Sequence, residues 1–212
     1  MFPIRDNIPS RSLAVITYGL IFFNFLIYFL TVSKLEGYIL KYGFIPSVLI
    51  GSTGDNLYRI FSSMFLHGGL GHLLSNMIAL WIFGDNVEDK LGKLKFLILY
   101  FGSGISGIIL HFLFYPSSAI PAVGASACIS GVIAGYLRYF PFARVDTLVF
   151  LGFFITHIQI PALFYIGFWF VTQIQGALIS FVSGLAGGVG WYAHLGGFVF
   201  GFAFSSLFSK IR

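Results

Sequence analysis

The sequence predicts an all-α membrane protein, a bundle of six transmembrane helices that forms one domain over residues 1–212. Hydrophobic residues make up 58% of the chain and charged residues only 9%, which is too little polar surface for a water-soluble fold. The chain also contains a series of apolar segments separated by Gly, Pro or charged residues. Because Cys128 is the single cysteine, the fold must be held by helix packing without an intrachain disulfide.

A helix that crosses the hydrocarbon needs about 20 mostly apolar residues, and this length guides the choice of spans. The predicted spans cover residues 13–32, 64–84, 96–115, 121–140, 160–175 and 191–208. The first segment is long for a signal-peptide core and lacks a small-residue cleavage site, so we expect it to be a span. The apolar stretch from Thr147 to Ile155 is too short to cross alone and is interpreted as interfacial or re-entrant.

The distribution of positive charge predicts that both termini lie in the cytoplasm. In that orientation the inner segments carry Arg5, Arg11, Lys90, Lys93, Lys95, Arg138, Arg144, Lys210 and Arg212, and the outer segments carry Lys34, Lys41 and Arg59. A seventh span would move the last two inner charges outside, so six spans are favoured. The outer segment 33–63 is predicted to form a structured loop at the interface. We expect the protein to lie in the cytoplasmic membrane of a bacterium.

Polar residues within apolar spans are costly, so each of them is a candidate functional group. In the predicted orientation Ser126 lies about five residues into the fourth span and His194 about three residues into the sixth, or roughly 5 to 8 Å at helical rise. His72 and Asn76 reach a comparable depth on the second span. These residues come from three different spans, so we expect them to converge in one layer of the outer leaflet.

The residue types in this layer predict a catalytic pair. A serine hydroxyl needs a base to become a nucleophile, and histidine is the side chain here that is neutral and basic enough near pH 7, which pairs Ser126 with His194. No Asp or Glu lies in a span facing this layer, so the sequence predicts a dyad. His72 and Asn76 are spaced i,i+4 on one helix face and are predicted, with the Ser126 N–H, to donate hydrogen bonds to an oxyanion.

Small residues are placed where this arrangement would need close helix contact. Gly124 permits a tight turn before Ser126. On the sixth span His194, Gly197 and Gly201 share one face, and the Gly-x-x-x-Gly spacing allows a neighbouring backbone to approach closely. We expect the fourth and sixth spans to touch at this face.

These residues closely resemble the rhomboid family of intramembrane serine proteases, over nearly the whole chain and in its minimal six-helix form. The matching motifs are Gly124-Ala125-Ser126 for the nucleophile, His72-x-x-x-Asn76 for the oxyanion side chains, and Ala193-His194-x-x-Gly197-x-x-x-Gly201 for the base helix. Tyr58-Arg59, just ahead of His67, is similar to the aromatic-Arg signature of the family's first outer loop. We expect Arg59 to anchor that loop and His67 to brace it.

The resemblance implies hydrolysis of a peptide bond in or near a transmembrane segment of a membrane-protein substrate, through an acyl-enzyme at Ser126 and without metal or organic cofactor. It also implies a water-filled cavity open to the outside. Two positions depart from the family pattern: Ala127 stands where Gly is usual, and Ser130 stands where an aromatic residue is common. They leave open the alternative of a catalytically inactive rhomboid-like protein that binds membrane clients.

Other functional classes fit the sequence less well. The excess of Lys and Arg over Asp and Glu, which gives a net charge of +5, is explained by the orientation of the protein in the membrane. No basic cluster with interleaved aromatics indicates a nucleic-acid partner. A metal site built from His67, His72 and His194 would lack a His-Glu-x-x-His pattern and an acidic ligand. A small transporter is a weaker interpretation, because no charged midplane residue or repeated half is visible.

Overall fold

The computed structural model describes residues 2–51, 54–151, 154–184 and 188–209, and this part of the chain is mostly helical. Its helices are α1 (Val15–Thr31), α2 (Leu35–Tyr42), α3 (Pro46–Ile50), α4 (Tyr58–Ser62), α5 (Leu70–Leu91), α6 (Lys93–Phe114), α7 (Ser126–Tyr139), α8 (Ala162–Ser183) and α9 (Trp191–Leu207). Its strands are β1 (Phe2–Asp6), β2 (Arg144–Leu151) and β3 (Phe154–Pro161).

Several helices are long and apolar enough to cross a membrane. In the described residues these are the continuous segment Val15–Tyr42, which joins α1 to α2, then α6 and α8. The count rises from three to four if α5 is taken together with the segment Tyr58–Phe65, to which it is bent by 90°. Large apolar side chains such as Phe22 on α1 and Phe168 on α8 are more than 60% exposed. Lipid is the solvent that tolerates such a surface, and the chain is an integral membrane protein.

Helix α7 lies at the centre of the bundle and packs against α5, α6 and α9. Its residues from Ala127 to Tyr136 are all buried. Small residues bring its backbone against that of α9: a Cβ on Gly197 would strike the Ala127 carbonyl, and one on Gly201 would strike the backbone of Gly131. Direct backbone contact of this kind fixes the relative position of the two helices that carry Ser126 and His194.

The helix that corresponds to the second predicted span begins and ends later in the chain than the sequence predicts. The prediction was 64–84, whereas α5 begins at Leu70, after the bend, and ends at Leu91. It continues beyond Gly84 because Glu88 has partners: its carboxylate accepts hydrogen bonds from the backbone N–H groups of Ile16 and Thr17 at the start of α1. A buried carboxylate is stable when it satisfies such free helix donors.

The three-stranded sheet was not predicted. Its strands run antiparallel in the order β1-β2-β3, and the apolar stretch interpreted as interfacial or re-entrant supplies the end of β2 and the start of β3. Strand β1 pairs Phe2 with Leu148, a contact between residues far apart in the chain that no local pattern reveals. Asp6, at the end of β1, accepts hydrogen bonds from Tyr136 of α7 and Asn86 of α5, so the sheet is tied to the helix bundle.

Candidate active site

Ser126 is the first residue of α7, where the helix leaves free backbone N–H groups. The turn before it depends on Gly124, whose φ of 122° lies in the region that favours glycine. The Gly124 N–H donates to the Ser63 carbonyl at 2.9 Å, which holds the turn against the segment that precedes α5. The local sequence therefore presents the Ser126 hydroxyl and the helix N-terminus on the same side.

His194 lies in the first turn of α9, and its Nε2 is 2.8 Å from the Ser126 Oγ. The ring is flanked by two indoles, with centroid distances of 6.1 Å to Trp169 and 6.4 Å to Trp191. The structure thus brings together the two residues that the sequence paired, at hydrogen-bonding distance. In this geometry the imidazole can accept the hydroxyl proton.

Gln173 of α8 is a site residue that the sequence interpretation missed. Its side-chain Oε1 lies 2.8 Å from the Nδ1 of His194, and the residue is only 4% exposed. The available signal was an amide within an apolar span, because such a group needs a partner there. It was missed although it lies near the outer end of the predicted span 160–175, close to the layer of the other polar residues.

His72 and Asn76 lie on one face of α5 beside the serine. The Nδ1 of His72 accepts a hydrogen bond from the Gly68 N–H at 3.4 Å, so in the neutral ring the proton is on Nε2. That Nε2 lies against Gly124, where an added Cβ would approach it to 2.7 Å. The Asn76 amide nitrogen is buried and has no hydrogen-bond partner among the described residues. Both side chains can donate toward the space in front of Ser126.

A cavity of about 560 Å³ is lined by Ser126, His194, His72 and Asn76 together. Its wall also includes Trp169 and residues from the turn before α7. A partly enclosed space lined by a paired nucleophile and base and by free donors is the expected form of an active site.

The supporting residues lie around this centre. Arg59 donates from Nη1 to the carbonyls of Leu40 and Gly43, both at 2.9 Å, and so braces the segment between α1 and α5. His67 is 1% exposed and its ring lies 5.1 Å from that of His72, edge to face. In the described residues no group of three His, Cys, Asp or Glu is placed to hold a metal ion.

The two positions that depart from the family pattern are accommodated. The Ala127 methyl lies beside Gly107 of α6, where a second methyl would approach it to 2.7 Å, so the missing side chain on α6 makes room for it. The Ser130 hydroxyl donates to the Ser126 carbonyl at 2.7 Å. An aromatic ring against His194 is supplied by Trp169 from a different helix.

Comparison with known proteins places the chain in a family. The sequence profile of the Rhomboid domain matches residues 54–211, well over half of the chain. The chain belongs to the rhomboid family. It is 32% identical to RHOMBOID-like protein 4 of Arabidopsis thaliana over 70% of the chain. It is 36% identical to Rhomboid protease GluP of Bacillus subtilis over 66% of the chain. It is 30% identical to Rhomboid protein 1, mitochondrial, of Saccharomyces cerevisiae over 71% of the chain.

The matches cover only part of these rhomboid relatives, namely 33%, 26% and 42% of their respective lengths. Some relatives are named as proteases, among them Rhomboid protease GluP of Bacillus subtilis and Rhomboid-type serine protease 2 of Emericella nidulans. The relatives come from a plant, a bacterium and a yeast, and therefore do not restrict the family to bacteria.

Proposed function

We propose that this rhomboid chain is an intramembrane serine endopeptidase that cleaves membrane-protein substrates in or near a transmembrane segment. The observation that carries the proposal is the 2.8 Å contact between the Ser126 Oγ and the His194 Nε2 at a cavity that also holds a free amide donor. A serine and histidine at this distance are the minimum needed for nucleophilic acyl transfer. The proposal needs no metal or organic cofactor.

In the proposed mechanism the Ser126 Oγ attacks the scissile carbonyl carbon while its proton passes to the His194 Nε2. The negative charge that develops on the carbonyl oxygen is stabilised by donors from His72, Asn76 and the Ser126 backbone. When the C–N bond breaks, His194 returns the proton to the leaving amine and an acyl-enzyme remains. In the second half, His194 takes a proton from water and the water oxygen attacks the ester carbonyl carbon. As the C–O bond to Ser126 breaks, His194 returns the proton to the Ser126 Oγ and the acid product leaves.

The membrane arrangement of the proposal is a single domain over residues 1–212 with six spans and both termini in the cytoplasm. Helices α7 and α9, with 14 and 17 residues, are shorter than a full span, and their packing against each other and against α6 supports counting them in the bundle. The positive-inside distribution of Lys and Arg supports the orientation, which turns the cavity toward the outer side. A bacterial cytoplasmic membrane remains a prediction.

The proposal is tested by reaction with a fluorophosphonate probe and by cleavage of a single-span substrate in reconstituted membrane. The wild type is expected to label and to cleave, whereas Ser126→Ala and His194→Ala do neither. Ser117→Ala, at an exposed serine, is the matched control and should behave as the wild type. Absence of label on a folded wild type, or equal label on Ser126→Ala, would favour the alternative of an inactive rhomboid-like protein that binds clients.

A further inference from the structure

A chain of hydrogen bonds extends behind His194 into α8. The His194 Nδ1 lies 2.8 Å from the Gln173 Oε1, on the side of the ring opposite Ser126. The Gln173 amide nitrogen in turn donates to the Trp169 carbonyl and to the Thr172 Oγ1, both at 3.0 Å. Because Gln173 is 4% exposed, water does not compete for these contacts.

The contacts of Gln173 with Trp169 and Thr172 fix the direction of every hydrogen bond in this series. A backbone carbonyl only accepts, so the Trp169 oxygen must face the NH₂ of Gln173 and not its carbonyl. The Thr172 hydroxyl already donates to the same carbonyl at 2.6 Å, which leaves its lone pairs to accept from Gln173. Two acceptors on one side orient the amide, and its Oε1 must point at His194.

The orientation of the amide determines which ring nitrogen of His194 is protonated. Opposite an acceptor oxygen, the Nδ1 has to carry the hydrogen. The Nε2 then presents its lone pair to the Ser126 hydroxyl, which is the form of the ring that can take the serine proton. The opposite tautomer would place an N–H against the hydroxyl and leave Gln173 facing an unprotonated Nδ1.

We propose that Gln173 is a positioning residue that holds His194 in its Nδ1–H tautomer, so that the working unit is Ser126-His194-Gln173. This inference rests on the proposed protease function and adds a third member to the predicted dyad. An amide suits this location better than a carboxylate, because an ionised carboxylate behind the ring would be costly to bury. Gln173 touches no reacting atom, and it acts only through the ring.

Two substitutions at this position separate positioning from packing. Gln173→Met keeps the length of the side chain and removes the acceptor, and kcat should fall roughly tenfold to a hundredfold, which is within the contribution of the base itself. KM should stay within about twofold, because the cavity wall is unchanged. Gln173→Glu should recover most of the lost kcat, because a buried carboxyl favours the neutral form, which keeps a carbonyl oxygen toward His194 and an O–H toward the Trp169 carbonyl. The matched control, Gln175→Met, changes an exposed glutamine on the same helix and should retain wild-type kcat.

The tautomer is measured independently of activity. In protein labelled with ¹⁵N-histidine, the His194 signals are assigned by their loss in His194→Ala. The wild type should show a protonated Nδ1 and an unprotonated Nε2, and Gln173→Met should shift the ring toward the other tautomer. If the wild type proved inactive, the proposed function would fail, and this spectrum would still decide whether Gln173 sets the tautomer.

The inference is overturned if Gln173→Met has the wild-type kcat and the wild-type histidine spectrum. It is also overturned if Gln173→Glu is no better than Gln173→Met while both retain the wild-type melting temperature, because the acceptor would then be irrelevant. A lower kcat in Gln173→Met with an unchanged tautomer contradicts it as well. Loss of kcat together with a tautomer shift, and recovery by Gln173→Glu, supports it.

Discussion

Asn76 contributes a buried amide nitrogen without a hydrogen-bond partner among the described residues, which is unfavourable for folding. In the proposed mechanism the oxyanion becomes its partner. Asn76→Ala is therefore expected to lower kcat by roughly 10²- to 10³-fold, the usual effect of removing an oxyanion donor. The melting temperature of the variant should equal or exceed that of the wild type. Substrate cleavage and thermal unfolding in detergent measure the two effects.

Asn86 provides a control of the same residue type on the same helix. Its amide donates to Asp6 and Asp85 at 3.1 and 2.9 Å, so Asn86→Ala removes both hydrogen bonds and should lower the melting temperature. A clear loss of stability in Asn76→Ala with unchanged kcat would show that Asn76 has a structural role and would remove it from the oxyanion site.

Ala127 places a methyl group directly after Ser126, where the family usually has glycine. Its methyl lies opposite Gly107, which has no side chain to oppose it. Ala127→Gly is therefore expected to leave kcat within about twofold of the wild type. It should reduce the stability by about 1 kcal/mol, because glycine is the poorer helix former. A large gain in kcat would instead indicate that Ala127 restrains the active site.

The sequence located the polar residues of the site but not all of their contacts. The structure arranges Ser126, His194, His72 and Asn76 around one cavity, while their catalytic roles remain predictions. Their shared depth and i,i+4 spacing were visible in the sequence. Gln173 was not found, because pairing it with His194 requires the packing of α8 against α9, which no pattern within either helix specifies.

The site depends on the direct contact between helices α7 and α9. A methyl on Gly197 would strike the Ala127 carbonyl, next to Ser126 in the chain. We expect Gly197→Ala to destabilise the fold by about 1–3 kcal/mol, as overpacking does, and to reduce kcat by separating Ser126 from His194. Gly19→Ala on α1 has open space around it, so it should leave kcat unchanged and should keep the stability or raise it by up to about 1 kcal/mol. Equal behaviour of the two variants would refute the contact as a constraint.

The link from β1 to the bundle predicts a dependence of stability on pH. Burial raises the pKa of the Asp6 carboxyl, although the hydrogen bond from Tyr136 opposes that shift. The stability from neutral Asp6 is fully present below the unfolded pKa of about 3.9 and is lost as the pH rises through the folded pKa. Asp6→Asn stays neutral, so its melting temperature relative to the wild type should rise as the pH increases above about 4.

Asp146 on β2 is the control with the opposite sign. The hydrogen bond from the Arg5 Nε holds the pKa of this partly buried carboxyl below its usual range. Its stabilising contribution is present above the unfolded pKa and is lost as the pH falls through the folded pKa. Asp146→Asn should therefore fall slightly below the wild type in melting temperature as the pH rises from about 2 to 5. Parallel pH curves for the two variants would contradict both assignments.

Elements differ in how far local sequence determines them. Apolar length located the helices, but their ends depend on partners: α5 extends to Leu91 because Glu88 caps α1, and α7 starts at Ser126 because the preceding turn is bound to Ser63. The hairpin β2-β3 was taken for an interfacial or re-entrant segment because β1, its pairing partner, is distant in sequence.

For the whole molecule, the proposed orientation is testable because Cys128, the single native cysteine, is fully buried and should not react. Single cysteines can be introduced at exposed positions. Lys41 and Ser117 should be labelled by an impermeant maleimide in intact cells, whereas Lys93 and Phe142 should be labelled only after the membrane is opened. Labelling of Lys93→Cys from outside would show that the protein has the opposite orientation in the membrane. In that orientation the Ser126 cavity would face the cytoplasm, so substrates would have to present their cleavage site on the inner side.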